Sequence, residues 1–182
     1  MKKFLYLIVF IVAVTFAQKA EAAEKVAGHS ASLVSQETVA EKSYANDVRV
    51  RALKNVLQKY DSILVAEAEH YVRSADTYGI DWRLLPAIAG LESSFGRHYM
   101  PGSYNVYGWG GGHIYFDSWA DGIDTISKSL SERYYARGAD TVWTIGPIYA
   151  ESPTWAVRVN SFMAQIDSEY NRLTVLSVAP TF

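Results

Sequence analysis

One carboxylate in this 182-residue sequence stands where a carboxylate is costly. Glu92 directly follows residues 84–91 (LLPAIAGL), a stretch that is apolar all the way round and predicts a helix buried on every side. Three effects would then act on Glu92 together. Burial disfavours the charged form, the negative end of the helix dipole disfavours it further, and no basic residue lies within four positions. All three favour a carboxyl that keeps its proton near neutral pH, the property required of a general acid for glycoside cleavage. The plain alternative is a solvated glutamate on a last helical turn, the commonest fate of such a residue.

A two-carboxylate mechanism needs a partner at about 5–5.5 Å for retention, or roughly 6.5–9.5 Å for inversion. Asp117, Asp121, Asp124 and Glu151 are all open by sequence. Asp117 and Asp121 read equally well as charges at a helix N-terminus. Single-glutamate chemistry, assisted by the substrate's own groups, therefore stays open.

Residues 97–116 (RHYMPGSYNVYGWGGGHIYF) are dense in glycine and aromatics and carry no helical period. Tyr104, Tyr107, Trp109 and Tyr115 could offer flat faces to sugar rings, with Asn105 and His113 supplying hydrogen bonds. The alternative is that the rings simply pack an irregular insertion. Trp109 and Tyr107 read as ligand contacts, Tyr115 and Phe116 as packing. Ser93, a candidate substrate contact, and Ser94 also suit hydrogen bonds that finish the helix or hold Glu92.

Other chemistries find little support. The four histidines show no HExxH pairing and there is no cysteine, so neither a metal nor a thiol nucleophile is expected. Ser93 and Ser94 lack a Gly-x-Ser-x-Gly elbow. GWGGGH has no following Lys-Ser/Thr, so no phosphate loop and no cofactor are expected. A formal charge of −2 without a basic block argues against nucleic acid as a partner.

The elements that must position Glu92 follow from spacing. Val50, Leu53, Leu57, Tyr60, Leu64 and Ala68, continued by Tyr71, Val72 and Ala75, predict one or two amphipathic helices, broken near Asp61-Ser62 with Ser62 capping the second. Gly79 ends that run and Asp81 caps the next. Pro86 would cost the buried helix one backbone bond; Gly90 suits a close approach of neighbouring backbone, and Gly96 a stop. Val106–Trp109 and Ile114–Phe116 could flank a hairpin around the three glycines. Helices are then predicted from Asp117 or Ser118, over Val142–Tyr149, and after Pro153. Trp82, Trp119, Trp143 and Trp155 sit at helical positions beside apolar residues and read as core.

The N-terminus reads as a secretory signal over residues 1–22. Lys2 and Lys3 precede an uncharged apolar run, Phe4–Ala17, and Ala20-Glu21-Ala22 follows with small residues where a signal peptidase reads. As a helix the run would extend about 21 Å against a hydrocarbon core of about 30 Å, too short to span. Cleavage would remove three cations and one anion, taking the formal charge from −2 to −4. Residues 23–46 read as a flexible spacer and 47–61 as an N-terminal helical arm. The main domain is expected over 62–172, followed by a tail, 173–182.

GIDWRLLPAIAGLESSFG resembles the segment around the catalytic glutamate of the lysozyme-like superfamily, which includes soluble lytic transglycosylases and bacterial endo-β-N-acetylglucosaminidases. Glu92-Ser93 matches its Glu-Ser signature, and SYNVYGWG resembles its cleft-lining Asn-aromatic-Gly segment. FDSWADGIDTISKSL resembles the helix behind the cleft, and IGPIYAESPTWAVRVNSFM the closing segment, with Tyr149 at the position of a tyrosine that faces the glutamate. The likeness spans about residues 62–170 in order. Where transglycosylases carry Gly-Leu-Met-Gln, this chain reads Val106-Tyr107-Gly108-Trp109-Gly110, which resembles the glucosaminidase side more closely or marks a separate branch.

The resemblance implies a mainly α, lysozyme-like domain with a small β-hairpin or loop subregion after the catalytic helix. It implies cleavage of β-1,4 bonds in peptidoglycan outside the cytoplasm, with Glu92 as acid and Tyr149 and Asn105 positioning the sugar. A non-catalytic glycan-binding module on the same scaffold, or an interaction protein docking through its N-terminal helix, are the alternatives.

Overall fold

The computed structural model of the chain describes residues 43–178. The expected signal peptide, the spacer up to residue 42 and the last four residues of the tail lie outside them. Among the described residues the protein is all-α, with six α-helices, three short 3-10 turns and no strand. None of these helices is long and apolar enough to cross a membrane.

The first helix, α1 (Val48–Lys59), starts where Asp47 accepts the Arg49 amide at 2.8 Å. Its apolar stripe, Val50, Leu53, Val56 and Leu57, is fully buried, and it packs chiefly on the last helix, α6 (Trp155–Val178). Residues 47–61 are thus built into the core through α1. At the far end, α6 runs on past residue 172 and buries Leu173.

The predicted break after α1 occurs, but Ser62 does not cap the helix that follows. Its hydroxyl accepts the Leu64 amide at 3.0 Å and donates to the Phe95 carbonyl at 2.7 Å. A 3-10 turn, Val65–Glu67, then leads into α2 (Ala68–Tyr78). Gly79 ends α2 in the left-handed region at φ 65°.

The central helix, α3 (Leu84–Ser93), is buried from Leu84 through Gly90 and packs mainly on α6. Asp81 stands two residues before the cap, Arg83, and accepts the Arg83 amide at 2.9 Å. Pro86 costs no bond: at the third helical position its nitrogen has no intrahelical acceptor, and the first such bond runs from Ala87 to Arg83.

Gly90 meets a side chain and not backbone. A Cβ there would lie 2.7 Å from the Phe95 ring. The helix also stops before Gly96, because Ser94 (φ 53°) and Phe95 (φ 57°) already turn left-handed.

No hairpin forms after α3. Gly110, Gly111 and Gly112 all have positive φ and wind into a 3-10 turn, Trp109–Gly112. The flanks are tied by the Asn105 amide, which donates to the carbonyls of Trp109 and Ile114, each at 2.9 Å. A side chain therefore makes the bonds a strand ladder would have made.

Ser118 caps α4 (Trp119–Arg133), and a reciprocal Thr141–Thr144 capping box opens α5 (Val142–Tyr149). Pro147 withholds a donor from the Trp143 carbonyl, and α5 ends two residues later. Of the four tryptophans expected in the core, Trp155 is buried and Trp82 and Trp119 are half-buried, but Trp143 is 53% exposed. Tyr115, expected to pack, is 61% exposed, whereas Phe116 is buried.

Candidate active site

Glu92 sits on the last turn of α3, and its side chain is exposed. The burial expected of Glu92 from sequence is therefore not found. The buried face of α3 ends at Gly90, and the next turn emerges at the surface. The carboxylate is nevertheless held. Its Oε1 accepts the indole N–H of Trp155 at 3.0 Å, and none of the ion pairs among the described residues includes it.

Trp155 opens α6 and Tyr149 closes α5, so the short link between the two helices brings their rings together. The rings stack at 4.7 Å with 27° between planes. The Tyr149 hydroxyl donates to the Tyr107 carbonyl at 3.1 Å. Burial, and then the negative charge of Glu92, push the Tyr149 phenol well above its usual range, so it stays a neutral donor. Trp109 joins this group with its ring 5.9 Å from that of Tyr149, tilted by 49°. Gly108 completes the floor: at φ 63°, a Cβ would lie 3.4 Å from Glu92 Oε2.

Glu92, Tyr149 and Trp109 are thus brought to one groove, and Ser93, Asn105 and Tyr107 are not open to it. Ser93 is buried; its hydroxyl donates to the Ala89 carbonyl and accepts the Gly96 amide, both at 2.9 Å, which finishes the helix under Glu92. Asn105 is buried with its amide spent on the loop, and its Oδ1 accepts the Trp109 amide at 3.1 Å. Tyr107 is 1% exposed, its phenol 2.6 Å from that of Tyr71, and burial pushes both phenols upward. What Tyr107 contributes to the groove is its backbone carbonyl. Asn105, Tyr107 and Ser93 therefore support the site from behind.

Trp155 lies in the core, as its helical spacing predicts, but one edge of its ring reaches Glu92. The stretch Tyr149-Ala150-Glu151-Ser152-Pro153-Thr154-Trp155 held the signal: a prolyl link short enough to force two aromatics together. None of the four acids considered as a second carboxylate bonds Glu92. Asp121 accepts the Asp117 amide at 3.1 Å, and Asp124 lies 3.1 Å from His70. Glu151 lines a separate hollow between α5 and α6. Among the described residues no three His, Asp or Glu side chains could hold a metal together.

Beside Gly108 lies a cavity of about 390 Å³, walled by Gly108, Trp109, Ile114, Arg133, Tyr134 and Tyr149 among others. Scanned against models of known protein families, the chain matches none, and no curated protein matches it either.

Proposed function

We propose that this protein is a lysozyme-like glycan hydrolase that cleaves the β-1,4 bonds of peptidoglycan outside the cytoplasm, with Glu92 as the general acid. The observation that carries the reading is the fixed position of Glu92. Its carboxyl projects from the end of a buried helix into an aromatic groove, with one oxygen held by Trp155 and the other beside Gly108.

In this mechanism Glu92 Oε2 gives its proton to the glycosidic oxygen, the C1–O bond breaks and its electron pair leaves with that oxygen. The Trp155 N–H then stabilises the carboxylate left behind. With no aspartate or glutamate among the walls of the adjoining cavity, the acetamido oxygen of the sugar shields the positive charge at C1, as in substrate-assisted glycosidases. Water, or a hydroxyl of the same sugar, then bonds to C1 and displaces the acetamido oxygen, and the proton it loses returns to the Glu92 carboxylate. The exposed groove dries when a sugar ring covers it between Trp109 and Tyr149, which strengthens every charge interaction inside. The Tyr149 phenol keeps its proton on the Tyr107 carbonyl and turns free lone pairs to the substrate.

The all-α fold, the buried helix leading to Glu-Ser and the aromatic groove support this reading. The exposure of Glu92 favours a second one, a glycan-binding module without turnover. Digestion of purified peptidoglycan, with products read by mass spectrometry, separates the two. Wild type should release muropeptides and Glu92→Gln should release none while still binding the wall. Equal cleavage by a folded Glu92→Gln would exclude Glu92 as the acid, and absence of products from both would leave the binding module. Reducing or anhydro ends would tell hydrolysis from transglycosylation.

A further inference from the structure

We propose that Arg133 makes the cavity beside Glu92 select a sugar that carries a carboxylate, in preference to a neutral amino sugar. This rests on the glycan reading and names the substrate unit that the groove accepts.

Arg133 is the last residue of α4, and it is the single charged side chain lining the 390 Å³ cavity. Among the described residues it enters no ion pair and no side-chain hydrogen bond. Its acidic neighbour Glu132 is turned to Lys128, at 3.9 Å. A cation in the last turn of a helix complements the dipole, and that alone explains its sequence position. It does not explain why the walls around it hold three aromatic rings, Trp109, Tyr134 and Tyr149, and no acid.

Arg133 is exposed, so its guanidinium is open to a carboxylate from a ligand, and its planar fork can take one bidentately. The rings supply stacking faces for the sugar itself.

The cavity adjoins the acid, although the Glu92 side chain is not among its walls. Gly108 lines it and also lies against Glu92 Oε2, and Tyr149 lines it while stacking on the tryptophan that holds Glu92 Oε1. A glycan whose scissile oxygen sits at Glu92 therefore places an adjoining ring in front of Arg133. The chemistry recognised is a carboxylate borne on that ring. It is either the free lactyl acid of a muramic sugar or an acid of the short peptide attached there.

The test is a binding ratio measured by calorimetry on the full chain and on Arg133→Gln. The ligands are a peptide-free muramic-type oligosaccharide with its free acid, the same compound as methyl ester, a peptide-bearing fragment, and an N-acetylglucosamine oligomer of equal length. Wild type should prefer acid over ester by about tenfold, and Arg133→Gln should bring that ratio close to one with affinity for the neutral oligomer kept. Arg133→Lys should keep part of the preference, and added salt should narrow it.

Preference for the free-acid sugar assigns the carboxylate to the lactyl group; preference only for the peptide-bearing fragment assigns it to the peptide. Equal binding of acid, ester and neutral ligands by wild type, or a ratio unchanged in Arg133→Gln, overturns the proposal. The ratio needs no turnover. A protein that binds selectively but cleaves nothing would refute the hydrolase alone, and one that binds none of the ligands refutes both.

Discussion

The indole N–H of Trp155 reaches Glu92 Oε1 at 3.0 Å across 63 residues of chain. That bond joins the end of the buried helix to the start of the last one, and it is made by a residue that is itself 3% exposed. A long, exposed carboxylate side chain would otherwise move among several rotamers. Here a donor anchored in the core selects one of them, and the Trp155–Tyr149 stack fixes the donor in turn. The order in the site is therefore borrowed from the core, through one ring that belongs to both.

Replacing Trp155 with Phe tests that dependence. Phe keeps an aromatic face for Tyr149 but has no N–H for Glu92. A hydrogen bond to a charged group contributes about 1.5–3 kcal/mol, which corresponds to about a 10–150-fold fall in kcat if it is made in the transition state. The expected result is lower kcat with KM little changed, together with a modest fall in Tm because the smaller ring leaves space in the core. Steady-state kinetics on a soluble glycan reads the first, and thermal melting the second. Unchanged kcat in a folded Trp155→Phe protein would show that Glu92 does not depend on the indole.

Much of this arrangement was legible in the sequence because it rests on local rules. The span of α5 follows from its apolar run, the end of α2 from Gly79, and the start of α4 from Ser118. The features that were not legible depend on long-range packing. Nothing near Phe95 announces a left-handed residue; that conformation is held by the Ser62 hydroxyl, 33 residues upstream, and by a bond to the Ala89 carbonyl. The hairpin expectation failed because alternation and glycines suit a hairpin and a wound loop equally, and the choice was made by the Asn105 side chain. Glu92 was expected to be buried because it adjoins a buried run, yet two residues of a helix turn a side chain through half a circle. Tyr107 and Trp109 look equivalent as aromatics, and only the depth of the Tyr71 phenol separates them.

The tie between α1 and α6 predicts acid sensitivity. Glu169 on α6 is 5% exposed and accepts from Arg172 at 2.6 Å and from Asn55 on α1 at 2.7 Å, with Lys59 at 3.6 Å. The Arg172 hydrogen bonds above all, then those from Asn55 and the Lys59 charge, outweigh burial and hold its carboxyl at about 2, against an ordinary 4.5. The folded state thus binds this proton more weakly than the unfolded chain. Its stabilisation is fully present above about pH 4.5 and is lost as pH falls through about 2. Melting curves across that window should show wild-type Tm falling more steeply than that of Glu169→Gln, with the variant a few degrees lower at neutral pH. Parallel curves would show that Glu169 contributes no pH-dependent stability.

Gly90 carries the last expectation, and it runs against the usual rule. In the middle of a helix, Gly→Ala ordinarily stabilises by about 0.5–1 kcal/mol, because alanine loses less backbone freedom on folding. At position 90 the added methyl would lie 2.7 Å from Cζ of Phe95 and 3.0 Å from both Cε atoms. The ring is fully buried, packed against Tyr60 at 4.6 Å and Phe162 at 5.2 Å, so it has no room to retreat. Overpacking of this kind costs about 1–3 kcal/mol, which exceeds the propensity gain. Gly90→Ala should therefore lower Tm. Glycan cleavage should fall as well, because a displaced Phe95 disturbs the turn that ends α3 just after Glu92. Phe95→Leu, destabilising alone, should lose less in the Gly90→Ala background, and a double-mutant cycle would read that coupling. A rise in Tm for Gly90→Ala would mean that the ring yields, and that Gly90 serves no packing purpose under Glu92.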